Sequence, residues 1–414
     1  MPRVITRSRA AFVFIFITVL LDMISFGIII PVFPQLILKL QGGDMAGAAA
    51  IFGIFGTAFA VMQFFFSPVQ GGLADRFGRR PVILLSNLGL GLDYIVMALA
   101  PNIPILFIGR LVSGATSASF SISGAYVADV TPPQERAARF GMLGAAFGAG
   151  FIIGPAIGGL LGSIDLRAPF WAAAALSIAN FLYGVFILPE SLPEDRRRPF
   201  SVRAANPIGA MRFLGSRPVL MSLTIAMLFA FLAHDAIPNT WVLYTTYRFS
   251  FDERAIGASL AIVGAASLVV NGFLVGRVVK RFGEFNALLA GLGFGIVSEL
   301  LFAFAPTTWL LLGTLPIYSL AGLSGGPIQS IATREVQPHE QGQLQGALTA
   351  LRSMVTLVTP GLYTGTFALF VGPLVGVGLP GAPYLLAAIL MAATTVIVMR
   401  SATRLRSPAA ARFS

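Results

Sequence analysis

The sequence predicts an all-α membrane protein, with twelve transmembrane helices in two six-helix pseudo-repeats. Three observations carry that prediction. Of the 414 residues, 56% are hydrophobic and only 11% are charged, with a mean hydropathy of +0.83; a soluble domain carries about 25% charged residues. Apolar runs of membrane-crossing length alternate with short turns that collect arginines. Landmarks in those turns recur at one fixed offset of 205 residues.

A helix needs about 20 apolar residues to cross a bilayer. That length places spans at 11–38, 47–71, 82–100, 103–128, 138–162, 169–189, 218–246, 255–276, 286–305, 308–331, 342–371 and 382–399. The first run is too long for the apolar part of a signal peptide, and no small-residue cleavage site follows, so a retained span is expected. Spans two and three meet at Gly71–Pro81, a turn that holds Asp75, Arg76, Gly78, Arg79 and Arg80. The one long polar connection is 190–217, with several prolines and arginines. It is expected to join an N-terminal six-helix bundle, 1–189, to a C-terminal one, 218–414.

Positive side chains set the orientation. With the N-terminus in the cytoplasm, cytoplasmic segments hold 22 Lys and Arg and the opposite side holds 4, while Arg110 and Arg352 fall inside spans. Both termini are therefore expected in the cytoplasm. The net charge of +11 then reads as a topology signal, and no nucleic-acid partner is implied. The chain has no cysteine and two histidines, His234 and His339, so no thiolate or histidine metal cluster is expected. No GxxxxGK[ST] loop is present to bind ATP, and no nucleophile–histidine arrangement suggests an enzyme.

The repeat is carried by three anchors. Arg76-Phe77-Gly78 returns as Arg281-Phe282-Gly283, Pro133-Gln134-Glu135 as Pro338-His339-Glu340, and Gly141 as Gly346, each 205 positions on. Parallel repeats of this kind are related by an axis along the membrane normal, with a substrate cavity near the midplane. Lys280 stands where Asp75 does, so the second copy reads as a degraded one. A one-sided gate follows as an expectation: Asp75 matters to transport and Lys280 much less.

Four stretches carry a resemblance: Gly71–Leu84 (GGLADRFGRRPVIL), Phe107–Ser119 (FIGRLVSGATSAS), Gly144–Gly159 (GAAFGAGFIIGPAIGG) and Leu20–Leu36 (LLDMISFGIIIPVFPQL). They resemble, in turn, the loop 2–3 motif, the fourth-span arginine motif, the fifth-span antiporter signature and the first-span motif of the major facilitator superfamily. Within it, the chain resembles the twelve-span drug:proton antiporters of the tetracycline-efflux group, closely in the first half and more loosely in the second. The resemblance implies the major facilitator fold and a proton-coupled antiporter in the bacterial inner membrane. Its exported substrate would be an amphipathic organic compound, with tetracycline-type drugs first. A same-fold carrier of a physiological metabolite or siderophore, running even as an importer, stays open. Protons are the coupling ion and no cofactor is expected, Mg2+ entering only as part of a chelated substrate. The expected partners are a small-molecule substrate, protons and the lipid bilayer, for a monomer.

Ionisable side chains at mid-membrane cost about 2.5–3.5 kcal/mol each on insertion scales, so the few present are candidate functional groups. Asp22 and Asp93 lie about 20 Å past the nearest arginine turn at about 1.5 Å per residue. Glu299 reaches a similar depth on the ninth span, and Asp235 lies toward the outer side of the seventh. A carboxyl group withdrawn from water holds a proton more readily, which is what coupling to a proton gradient needs. The resemblance implies that acids matching Asp22 and Asp93 are needed for transport. Arg110 is the expected partner of Asp22; fixed pairing with an arginine, for packing alone, is the alternative. The exporters carry a ninth-span acid where this chain has Gly295, and Glu299 lies one turn further along the same face. His234 and Asp235 have no counterpart in the pattern; they form a candidate relay, although adjacent helical residues point about 100° apart.

Gln63, Phe147, Asn239, Trp241, Asn271, Gln329 and Arg352 are the candidate substrate contacts, being polar or aromatic residues within spans. The gating candidates are Asp75, Arg76, Gly78, Arg79, Arg80, Asp129, Arg139, Gly154 and Pro155. Asp75 is expected to face the N-terminus of span eleven, or to pair with Arg76 or Arg139 and reach Asp129 through that arginine. The fifth-span glycines Gly144, Gly148, Gly150, Gly154, Gly158 and Gly159 are expected to strip one long face for close helix approach, with Pro155 permitting a bend.

Overall fold

The computed structural model describes residues 2–117, 119–197, 218–337 and 340–401, so His339 and most of the 190–217 connection lie outside the described residues. The described residues are helical, with no strand among them. Eleven helical segments are long and apolar enough to cross a membrane. They are Ala11–Leu40, Met45–Phe77, Arg79–Leu99, Ile103–Val130, Ala138–Gly162, Ala168–Ile187, Leu220–Phe249, Glu253–Phe282, Glu284–Phe304, Gln343–Val371 and Ala382–Arg400. The expected tenth span is also helical, but in three pieces: Thr308–Ser319, a 3₁₀ turn at Leu320–Ser324, and Gly325–Arg334. Counting it, the chain has the twelve helices that the hydropathy pattern predicts.

The breaks follow local chemistry. Proline lacks the amide N–H of a helical hydrogen bond and glycine weakens a helix entropically. The tenth span carries Pro316, Gly322, Gly325, Gly326 and Pro327 around its 3₁₀ turn. The first span is interrupted at Ile30-Pro31-Val32 and resumes at Phe33. The seventh breaks at Asp235, whose amide turns back to the Leu232 carbonyl at 3.1 Å. In the eighth, Val270–Leu274 forms a π turn.

The repeat reaches the caps. Asn102 and Thr307, 205 residues apart, each begin a span by accepting a hydrogen bond from the amide three residues on, at 3.1 and 3.3 Å. Ala100 and Ala305 end the preceding spans with nearly the same backbone angles, φ −56° ψ 117° and φ −53° ψ 117°. Packing repeats as well. Span one lies against five and six, and three against four and six; likewise seven lies against eleven and twelve, and nine against ten and twelve.

The chain forms two compact units. One holds the described residues of Met1–Asp44, Ile54–Ala205 and Phe251–Gly264; the other holds those of Met45–Gly53, Asn206–Ser250 and Ala265–Ser414. The start of span two thus belongs with the second unit and the start of span eight with the first. Large apolar side chains such as Phe65, Phe186 and Trp309 stay exposed, as expected of helices that cross a bilayer.

Candidate functional site

In the first unit, the spans carry two buried acids. Asp22 is 6% exposed on span one. Its Oδ2 accepts from Ser119 Oγ of span four at 2.7 Å, and its Oδ1 from Asn180 Nδ2 of span six at 2.8 Å. The same Asn180 nitrogen also reaches the Thr18 carbonyl at 3.0 Å. With its amide turned to satisfy both groups, Asn87 of span three adds donors at 3.1 and 3.2 Å. Several donors on one carboxylate stabilise its anionic form.

Asp93, 1% exposed on span three, is held differently. Its Oδ2 accepts from Ser113 Oγ, while Oδ1 rests against Gly109 with no hydrogen-bond partner among the described residues. Arg110, the next residue, is its charged neighbour. The Arg110 guanidinium lies 5.0 Å from the Phe33 ring centre and 4.5 Å from that of Phe59. Two aromatic faces thus hold a buried cation. The expected Arg110–Asp22 pair is not formed among the described residues, because serine and asparagine donors already occupy both oxygens of Asp22.

The second unit gathers a different set. Asp235 Oδ1 pairs with Arg352 Nη2 at 2.7 Å, and Oδ2 accepts from Thr359 Oγ1 at 2.9 Å. Tyr363 Oη adds a bond to the Leu232 carbonyl at 2.8 Å. These contacts tie the broken seventh span to the eleventh. Arg352, a candidate substrate contact, is therefore also the counter-ion of a candidate proton group. His234 points elsewhere: it is exposed, and its ring stacks on Tyr318 with Nδ1 3.4 Å from the hydroxyl. The two adjacent residues diverge, and they form no direct relay.

Glu299 is 0% exposed, and neither carboxylate oxygen has a hydrogen-bond partner among the described residues. An isolated ionised carboxylate is far costlier to bury than the neutral acid. The position of the missing ninth-span acid, Gly295, faces the interior of the unit. A side chain there would meet Met391 of span twelve and Ala321 of span ten. An acid at that position would have to displace the Met391 thioether.

At the end of the first unit that carries the arginine-rich turn, Arg79 is the hub. It pairs with Asp75 at 2.5 Å and Asp129 at 3.2 Å. The expected hubs do other work: Arg76 stacks on Phe77, while Arg139 pairs with Glu135 at 3.4 Å and stacks on Phe12. Arg80 donates to the Val185 carbonyl at 2.5 Å. Gly78 has φ +107° and abuts the Glu190 carboxylate, so this position requires glycine twice over.

The fifth-span glycines do not share one face. Gly150, Gly154 and Gly158 press on span one at Met23, Gly27 and Ile28; Gly159 meets Gly257 of span eight, which also abuts the Pro155 carbonyl; Gly144 and Gly148 have open space beside them. Of the remaining candidates, Gln63 donates to Ser117 Oγ at 3.1 Å and Gln329 to Gln345 Oε1 at 3.2 Å. Asn239 and Asn271 donate to carbonyls one turn back on their own helices, at 2.7 and 2.9 Å. Phe147 is exposed and stacks on Phe151. Trp241 is 1% exposed and edge-on to Phe302, within the packed interior.

Sequence reasoning missed Asn180, Asn87 and Ser119 around Asp22, Thr359 beside Asp235, and Glu190. For Glu190 the usable signal was a carboxylate beside an apolar run; the lone hydroxyls and amides within spans carried none.

Comparison with known proteins gives a consistent picture. The sequence profile of the Major Facilitator Superfamily matches residues 15–360. The tetracycline resistance protein, class C, of Escherichia coli is 38% identical over 362 residues, covering 87% of this chain and 91% of that protein. The class G protein of Vibrio anguillarum is 34% identical over 372 residues, covering 88% and 92%. Among solved structures, the human organic anion transporter MFSD10 (TETRAN) matches with a TM-score of 0.68 at 24% identity, covering 94% of this chain and 99% of that one. A likeness at that identity speaks for the fold alone.

Proposed function

The chain belongs to the Major Facilitator Superfamily, and from that premise we propose that it exports tetracycline-type drugs by proton-coupled antiport and alternating access. It is a secondary transporter, not an enzyme. The observation that carries the coupling is the pair of buried acids in the first unit. Asp22 is fully supplied with donors, while Asp93 keeps one oxygen unbonded beside a buried cation.

A proton arriving at Asp93 cancels the attraction between its carboxylate and Arg110. A cationic group of the drug, or its metal chelate, held by the ionised Asp93 loses its anchor in the same step. Proton and drug thereby exclude each other at one cluster, which is the requirement for antiport. Asp22, gripped by Ser119 and Asn180, takes a proton only when one of those donors lets go, so its protonation is tied to movement between spans one, four and six. In the second unit, Glu299 supplies a further proton site, and the half-exposed Arg352 guanidinium supplies a cation toward the substrate. Arginine asymmetry supports an inner-membrane orientation with both termini in the cytoplasm. The unit of function is a monomer, and Mg2+ enters only as a chelate with the drug.

Everted vesicles carrying a pH gradient test this reading. Tetracycline should collapse the gradient with the wild-type protein, and Asp93→Asn should reduce that response at least tenfold with unchanged protein in the membrane. The reading fails if tetracycline moves no protons, or if the variant behaves as wild type.

A further inference from the structure

The second copy of the arginine-rich turn is a charge-inverted copy. Asp75, Arg79 and Asp129 have the partners Lys280, Glu284 and Arg334 at the 205-residue offset, and all three signs are reversed. The contact survives the inversion. In the first unit Arg79, at the start of span three, pairs with Asp129, near the end of span four, at 3.2 Å. In the second, Glu284, at the start of span nine, pairs with Arg334, at the end of span ten, at 2.6 Å. Both copies enter the new helix through a glycine of positive φ, Gly78 at +107° and Gly283 at +80°.

The sign has a physical consequence. A helix N-terminus favours negative side chains and a C-terminus positive ones. The second unit obeys this at all three positions: Lys280 ends span eight, Glu284 begins nine and Arg334 ends ten. The first unit violates it at all three, with Asp75 near the end of span two, Arg79 at the start of three and Asp129 near the end of four. The first unit carries a compensating group. Glu190 accepts from the amides of Arg79 at 2.9 Å and Arg80 at 3.2 Å, placing a carboxylate on the N-terminus that Arg79 opposes. The last spans of the two halves begin at Ala168-Pro169 and Ala382-Pro383, 214 residues apart, so the counterpart of Glu190 lies outside the described residues.

We propose that Lys280–Glu284–Arg334 is the second unit's working counterpart of the gate cluster, and that Glu190 is the positioning residue that makes the first unit's opposed polarity stable. This replaces the one-sided gate expected from the sequence. It rests on the transporter reading for its effect on turnover, but not for its effect on stability.

The test is a set of charge reversals, read as melting temperature in detergent and as tetracycline-driven proton flux in vesicles. E284R and R334D should each lower Tm and cut maximal flux at least fivefold with KM unchanged. The double reversal restores the pair but sets it against both helix ends, so it should recover part of both losses. Glu190→Gln should lower Tm in the wild-type background and raise it in R79E/D129R, where the carboxylate faces a like charge. A merely structural glutamate would not change sign between backgrounds. Absence of rescue, or a Glu190 effect of the same sign in both backgrounds, overturns the inference. If wild type carries no tetracycline-driven flux while the Tm pattern holds, the transport reading fails and the inverted cluster stands.

Discussion

Gly109 carries no side chain, and that space seats Asp93. A methyl group there would lie 2.6 Å from Asp93 Oδ1 and 2.9 Å from Met97 Cγ. Gly109→Ala should therefore swing the carboxyl off Ser113 and lower drug-driven proton flux at least tenfold. Gly313→Ala, with nothing within 4 Å, should leave flux unchanged; equal flux from both variants would remove the seating role. Glu299 makes the opposite kind of prediction. Replacing a buried, unpartnered carboxyl by an apolar side chain of similar size stabilises a fold, so Glu299→Leu should raise Tm while lowering proton coupling. A fall in Tm would mean that Glu299 is bonded after all. The acids were legible in the sequence because a charge stands out in an apolar run. Their partners were not: Ser119 and Asn180 lie 97 and 158 residues from Asp22, and a lone serine or asparagine in a span looks alike whether or not it faces an acid.

At the scale of the helix, the fifth span shows how spacing becomes contact. Gly150, Gly154 and Gly158 recur every four residues and bring span five onto the backbone of span one. Gly154→Leu should force that crossing apart and sharply reduce both folded protein and Tm. Gly148→Ala, with open space beside it, should leave both unchanged. Equal stability of the two variants would mean that the crossing does not need its glycine. The four-residue repeat itself was readable, but which neighbour it meets was not. The same limit applies to the tenth span, whose prolines and glycines announced a weak helix without saying that it would break into a 3₁₀ turn.

At the scale of the whole molecule, spans two and eight each contribute to both compact units. Span two enters the second unit through Gly53, where an added Cβ would lie 3.3 Å from Thr364 Cβ of span eleven. That approaches the Cβ separation of about 3.5–4.5 Å in disulfides, and the chain has no cysteine of its own. A Gly53→Cys, Thr364→Cys protein should cross-link on oxidation, stop transport and recover on reduction. Undiminished transport by the cross-linked form would show that this contact persists throughout the cycle.

The sequence alone determined the membrane class, twelve helices, the two-fold repeat and the family. Those properties follow from bilayer thickness, the cost of intramembrane charge and motifs of contiguous residues, all of which are local in the chain. The tertiary structure decided which charges meet. It gave Arg79 rather than Arg76 or Arg139 to Asp75, Arg110 to Asp93, and Arg352 to Asp235. It set the Met391 thioether against Gly295, and it showed Glu284 bound to Arg334 where the sequence suggested a decayed copy. Pairing is decided by helices that cross at positions far apart in the chain, and a single sequence carries no record of that distance.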